Sequence, residues 1–222
     1  MKFYETSIKA MEKVLKDTKE DFYADYISEC IQKWESSKDT TYFIKGFSKK
    51  GRFENFTFQN TAFPSEESRY WTQQYFGGLV AMAMQLAKFI NEGKTIDIDF
   101  IKKNFGHQAE VISGSVCSSC GTKQFSMADI DKYVTIPIIS GGIIEGLEKE
   151  DLTDITEQIM NCTYGRLVKE REQAKERAAN TNVSVSSSRT AMTVCTKCGG
   201  KNISKCRFLK SLKKNAFVAL SR

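Results

Sequence analysis

Val116-Cys117-Ser118-Ser119-Cys120-Gly121 and Val194-Cys195-Thr196-Lys197-Cys198-Gly199 are two copies of one short pattern: an apolar residue, Cys-x-x-Cys, then glycine. Two residues between the cysteines let both sulfurs reach one tetrahedral ion at about 2.3 Å. The glycine that follows permits a positive φ, which turns backbone N–H groups toward the sulfurs. Such N–H groups stabilise thiolates and fix their orientation. The expected cofactor is therefore zinc, and the candidate ligands are Cys117, Cys120, Cys195 and Cys198.

β-leaning residues flank both turns. In this they resemble the zinc-ribbon group, in which two such knuckles on β-hairpins hold one zinc ion. The resemblance covers some ten residues at each site. It implies a ribbon split by a long insertion, because 74 residues separate Cys120 from Cys195. A rival ligand set uses Cys195, Cys198 and Cys206, with Cys162 or His107 as the fourth donor. On that reading the first pair is a redox pair or an incomplete site. A thioredoxin-like pair should open a helix just after a strand, and neither pair has that setting. A closed four-cysteine site has no open position for water, which argues against catalytic zinc.

Outward from the knuckles, residues 5–35 carry a strong helical signal, with Ile8, Met11, Leu15, Phe22, Tyr26, Ile27, Ile31 and Trp34 mostly three or four apart. Cys30 lies on that stripe and is expected in the core. The aromatic runs Thr41–Ile44 and Phe53–Phe58, joined through Ser48-Lys49-Lys50-Gly51, predict a β-hairpin. Pro64 and Ser65 predict the start of a long helix from Glu66 to Asn91, ended by Gly93. Gly77-Gly78 within it implies close packing or a kink. A third helix is expected from Ile96 to Phe105, capped by Thr95.

Residues 109–116 predict a strand leading into the first knuckle. Ser126-Met127-Ala128-Asp129 resembles a capping box with Asp in the acidic place. Residues 134–139, with Pro137, predict a short apolar strand or buried loop. A second long helix is expected over 152–179, its charged end projecting into solvent, followed by a polar linker at 180–190. Leu209, Leu212, Phe217 and Leu220 stand at helical spacing.

The 222 residues allow one large or two small domains, and 41% hydrophobic residues are enough for a core. The first residues show no apolar signal core, and the most apolar stretch, 77–90, is interrupted by Lys88 and too short to span a bilayer. A reducing cytosol is the expected compartment, where Cys-x-x-Cys pairs are more often metal ligands than disulfides. A single histidine, His107, excludes chemistry that needs two.

The net charge of +6 hides an asymmetry. From Arg177 onward there is no Asp or Glu but ten basic residues, which leaves the first 176 residues at −4. Such a basic end points to an anionic partner. Lys201, Lys205, Arg207, Lys210, Lys213 and Lys214 are candidate phosphate contacts, with Phe208 a candidate for stacking on a base.

The expected fold class is α+β, mainly helical, with long amphipathic helices, a β-hairpin and a split zinc-ribbon-like element. The expected domains are 1–108, helical with the hairpin, and 109–222. The second holds knuckles at 116–121 and 194–199, a helical insertion at 127–179, the linker and the basic segment. The expected function is a zinc-stabilised, non-enzymatic module contacting nucleic acid or a nucleoprotein assembly. The alternative is a protein-interaction or regulatory factor, of host-interaction or defence type, using an aromatic surface at Phe53, Phe56 and Phe58.

Overall fold

The structure, a computed structural model, describes residues 2–105, 111–160, 165–179, 183–186, 193–211 and 216–219. It is mixed α and β and mostly helical. Two compact units divide the chain. One comprises Met1–His107 with Ile139–Tyr164, the other Gln108–Ile138 with Gly165–Arg222.

The first unit begins with two helices, α1 (Lys2–Asp17) and α2 (Asp21–Ser37), where the sequence pattern runs through as one signal. The break falls at Thr18-Lys19-Glu20, where the apolar stripe lapses. Lys19 takes φ +59°, and the Glu20 amide donates to the Leu15 carbonyl at 2.8 Å. That is the hydrogen-bond closure of a Schellman turn. Ile8, Met11, Leu15, Ile27 and Trp34 are buried between the two helices and α4 (Glu66–Asn91).

The hairpin expected over 41–58 is not there. Thr41–Gly46 forms a short helix, α3, and the chain then winds through turns. The aromatic residues that suggested strands serve a different end. Phe53 stacks on Phe47 at 4.1 Å, and Phe58 meets Phe76 edge-on at 5.3 Å. Aromatic enrichment marks a place to bury rings, and strand geometry is only one way to supply it. Gly46 is required where it is: an added Cβ would come within 2.4 Å of the Tyr26 ring.

Helix α4 (Glu66–Asn91) matches the expected span. The Ser65 hydroxyl accepts from the Ser68 amide at 3.0 Å, which caps the first turn, and Gly93 leaves it at φ +70°. Tyr75, Leu79, Met82 and Leu86 recur at helical spacing and are buried. Helix α5 covers Ile98–Phe105. Asp97, not Thr95, caps it, by accepting from the Phe100 amide at 2.7 Å.

In the second unit the strands β1 (Val111–Cys117), β2 (Lys123–Ser126), β3 (Val183–Ser186), β4 (Ile203–Ser211) and β5 (Ala216–Ala219) form one sheet in the order β3-β2-β1-β4-β5. All pairings are antiparallel except β2 with β3. Helix α6 (Met127–Lys149) follows β2 without a gap, and the division between the two units falls inside it. Its start is a reciprocal capping box. The Asp129 amide donates to Ser126 Oγ at 3.1 Å, and the Ser126 amide donates to Asp129 Oδ2 at 2.9 Å.

Several expectations fail in this half. Residues 134–139 are helical, Pro137 included, because they lie in the middle of α6. Of the long helix expected over 152–179, Thr153–Met160 (α7) and Gly165–Ala179 (α8) are helical, and 161–164 lie outside the described residues. Residues 139–160, expected as part of the insertion, belong to the first unit.

The charged end of α8 does not simply project into solvent. Ala174 is buried under the sheet, and Arg171 pairs with Asp131 at 3.0 Å. The presumed linker contains β3, and the presumed C-terminal helical spacing falls on β4 and β5. Leu212 and Leu220 lie outside the described residues. A strand needs a neighbour to pair with, and the neighbours here are distant in sequence, so short local patterns could not reveal them.

The sheet has two unlike faces. Ile112, Phe125 and Phe208 point to the inner face and pack with Ile130 and Val134 of α6 and Ala174 of α8. Gly114 lies beside Phe125, whose ring an added Cβ would approach to 2.6 Å. The opposite face carries Ser113, Ser115, Gln124, Ser126, Ser184, Ser186, Lys205 and Arg207, as the registers require.

Candidate metal centre

Both knuckles fold alike, as their common pattern requires. In the first, the Cys117 amide donates to the Thr122 carbonyl at 3.0 Å and the Gly121 amide to the Cys117 carbonyl at 2.8 Å. In the second, the Cys195 amide donates to the Gly200 carbonyl at 2.8 Å and the Gly199 amide to the Cys195 carbonyl at 2.9 Å. Gly121 and Gly199 both take φ +70°. An L residue is strained there, so glycine is what lets the turn close.

The sheet brings the two turns together. β1 ends at Cys117 and β4 begins at Ile203, and these two residues are paired in the β1–β4 ladder. The Ser118 amide donates to the Asn202 carbonyl at 2.9 Å, a direct tie between the knuckles. As a result, Cys117 Sγ lies 3.7 Å from Cys198 Sγ and Cys120 Sγ lies 3.6 Å from Cys195 Sγ. All four sulfurs are within 4.8 Å of one another. Sulfurs bound to one tetrahedral ion at about 2.3 Å would stand about 3.8 Å apart. The cluster could hold a metal ion with little adjustment. Cys117 and Cys195 are buried, while Cys120 and Cys198 reach the surface.

The electrostatics fit a cation-demanding site. The backbone amide of Cys120, then that of Ser119, holds the Cys117 thiol below its ordinary range. The Thr122 hydroxyl, 3.1 Å from Cys120 Sγ, together with the Thr122 amide brings the Cys120 thiol down to about 6. The Gly200 amide pulls Cys198 the same way, but the three facing sulfurs together outweigh it and push that thiol up to about 12. Four negative sulfurs this close repel one another, and a divalent cation relieves that repulsion.

The rival ligand sets fare differently. Cys206 stands on the inner face opposite Gly114 and packs with the apolar cluster of Phe125 and Phe208. Cys162 and His107 lie outside the described residues. Cys30 is buried in the first unit, which pushes its thiol up to about 12.

Sequence reasoning missed the residues that hold the second knuckle in place. Gln124, fully buried on β2, accepts from the Thr196 amide at 2.8 Å and from its hydroxyl at 3.2 Å. The Thr196 hydroxyl is also hydrogen-bonded to the Ser184 hydroxyl of β3 at 2.6 Å, accepting there when it donates to Gln124. A partial signal existed: Cys-Gly-Thr-Lys at 120–123 and Cys-Gly-Gly-Lys at 198–201 extend the repeat past the glycines. Gly200 is small for a reason, since an added Cβ would meet Cys198 Sγ and Ser119 Oγ at 3.3 Å each.

The basic candidates divide. Lys201, Lys205 and Arg207 are exposed, the last two on the outer face of β4. Lys210 lies on β4 opposite Phe217 of β5, and Lys213 and Lys214 are outside the described residues. Phe208 must be struck from the set. It is 0% exposed and packs edge-on against Phe125 at 5.0 Å, so its ring is not offered to a base. Alternation along β4 puts it on the face opposite its cationic neighbours.

No family model matches the chain, and neither a curated protein nor a solved structure matches it. Among the described residues no helix is long and apolar enough to cross a membrane.

Proposed function

We propose that this protein is a zinc-stabilised, non-enzymatic binding module whose basic C-terminal segment contacts nucleic acid or a nucleoprotein assembly. The observation that carries the proposal is the cluster of four cysteine sulfurs at one end of a sheet that also presents Lys205 and Arg207. Zinc suits four thiolates in a closed tetrahedral set better than harder cations do, and such a site stabilises a fold without an open catalytic position. The two knuckles, the first between β1 and β2 and the second leading into β4, are what a split zinc ribbon would need. The thiolate set favours a reducing compartment, the cytosol being the expected one.

The charge supports an anionic partner. The second unit contains 16 basic and six acidic residues, the first 17 and 21. The +10 end is thus largely one structural body, and each cation that meets a phosphate releases counterions and adds salt-dependent affinity. The alternative, a protein-interaction surface at Phe53, Phe56 and Phe58, loses its footing. Phe53 and Phe58 are buried and Phe56 packs against the same core.

Elemental analysis of the purified chain should find about one zinc per molecule. Serine at Cys117 or Cys195 should remove it and unfold the sheet. A full zinc complement in Cys117→Ser would sink the four-cysteine site. Titration with labelled nucleic acid at low salt should show binding, and none at all would sink the partner.

A further inference from the structure

The five strands β1–β5 contain no acidic residue, and β4 carries Lys205 and Arg207 on the outer face. On their outer face Ser115, Gln124 and Ser126 are buried, Gln124 beneath Thr196, and the accessible part is a patch of hydroxyl and cations on β1 and β4. Arg207 stands beside Ser113, and Lys205 beside Ser115, which is followed across the sheet by Gln124 and Ser184. Ser113, Lys205 and Arg207 are exposed. Lys197 and Lys201, both exposed, extend the cationic surface at the second knuckle, and Thr196 of that knuckle is anchored on this same face.

We infer that the outer face of the sheet is a docking surface for the sugar–phosphate backbone of a nucleic-acid duplex, read without regard to base sequence. This rests on the nucleic-acid reading above and names the surface within it. Charge complementarity selects a polyanion. The side chains select its form. Binders of single strands offer aromatic rings on which bases stack, and the described residues of this face include no aromatic ring. Reading base edges in a groove calls for a protruding helix or ribbon, and the accessible part of this face is a sheet bearing Ser113, Lys205 and Arg207. Hydroxyls and cations on such a surface match phosphates that point outward while the bases stay paired inside.

The metal centre then gains a second role. By holding the second knuckle, a bound ion would keep Thr196 on Gln124 and Ser184, and Lys197 and Lys201 at the edge of the face.

The test is fluorescence anisotropy on the full chain with labelled DNA duplexes of two unrelated sequences and with single strands of the same length, over a salt series. The expected result is similar affinity for the two duplexes and weaker binding of the single strands. Lys205→Gln with Arg207→Gln should weaken duplex binding roughly tenfold and lower the slope of log affinity against log salt by about 1.8, the loss of two phosphate contacts. A charge-matched control in the first unit, Lys45→Gln with Lys49→Gln, should leave both unchanged. Zinc content and circular dichroism of the double variant, expected to equal those of the parent, separate lost contacts from a lost fold.

Preference for single strands, or for one duplex sequence, overturns the proposal. So does a loss confined to Lys213→Gln with Lys214→Gln while the β4 pair changes nothing, a result that leaves the broader reading of the C-terminal segment standing. No binding of any polynucleotide at low salt overturns both.

Discussion

Thr122 shows how much of the site depends on single atoms. Its hydroxyl lies 3.1 Å from Cys120 Sγ, and with the Thr122 amide it brings that thiol down to about 6 from an ordinary value of 9.0. A thiol depressed in the folded state contributes stability that is fully present above its unfolded value and is lost as the pH falls through its folded one. Metal binding needs the thiolate, so acid should also release the ion. Zinc release followed with a chromogenic chelator should therefore rise as the pH drops toward 6. Thr122→Val removes the hydroxyl while keeping the shape, and should move the release to higher pH. An unchanged midpoint would show that the hydroxyl does not tune the site.

The ligands themselves were legible at this scale, because Cys-x-x-Cys-Gly is a local pattern with a local geometric cause. Gln124 and Thr196 were not. They are 72 positions apart, and nothing in either neighbourhood announces the hydrogen bond between them.

At the scale of elements, α4 separates two roles that adjacent glycines play. An added Cβ at Gly78 would meet Ile139 and Ile143 of α6 at 3.1 and 3.2 Å, whereas at Gly77 it would meet nothing within 4 Å. Gly78 is there for close packing between helices. Gly77→Ala should then stabilise the protein by up to about 1 kcal/mol, the helix-propensity difference. Gly78→Val should destabilise it by about 1–3 kcal/mol through overpacking. Denaturant midpoints measure both, and equal effects would remove the packing explanation.

The bounds of α4 could be read because its cap, its apolar period and its terminal glycine agree. The hairpin at 41–58 was misread because aromatic enrichment signals burial without specifying the backbone that delivers it. The strands β3 and β5, four residues each, were misread as linker and helix, since so short a strand has too short a period to register against its surroundings.

At the scale of the molecule, the metal site belongs wholly to the second unit, while the first has a helical core of its own. Removing zinc with a strong chelator should therefore act on one unit. Hydrogen exchange should show protection lost from β1 and β4 amides while α1, α2 and α4 keep theirs. A single concerted loss across both units would contradict this.

The division into units also changes what the charge means. A sequence boundary at Arg177 gave −4 and +10, and the structural boundary gives the same totals with different members. The strand β1, distant from the basic segment in sequence, brings Ser113 and Ser115 beside Arg207 and Lys205.

The amino-acid sequence by itself determined the two knuckles, the long capped helix α4, the capping box at Ser126 and the charge imbalance. Each of these depends on residues a few positions apart, whose chemistry acts whatever the rest of the chain does. Only the tertiary structure decided that the knuckles share one sulfur cluster, that Phe208 is core and Arg207 surface, and that the polar stretch near 184 is a strand. Those outcomes depend on which distant segments pair, and pairing is set by the burial of a whole sheet face at once.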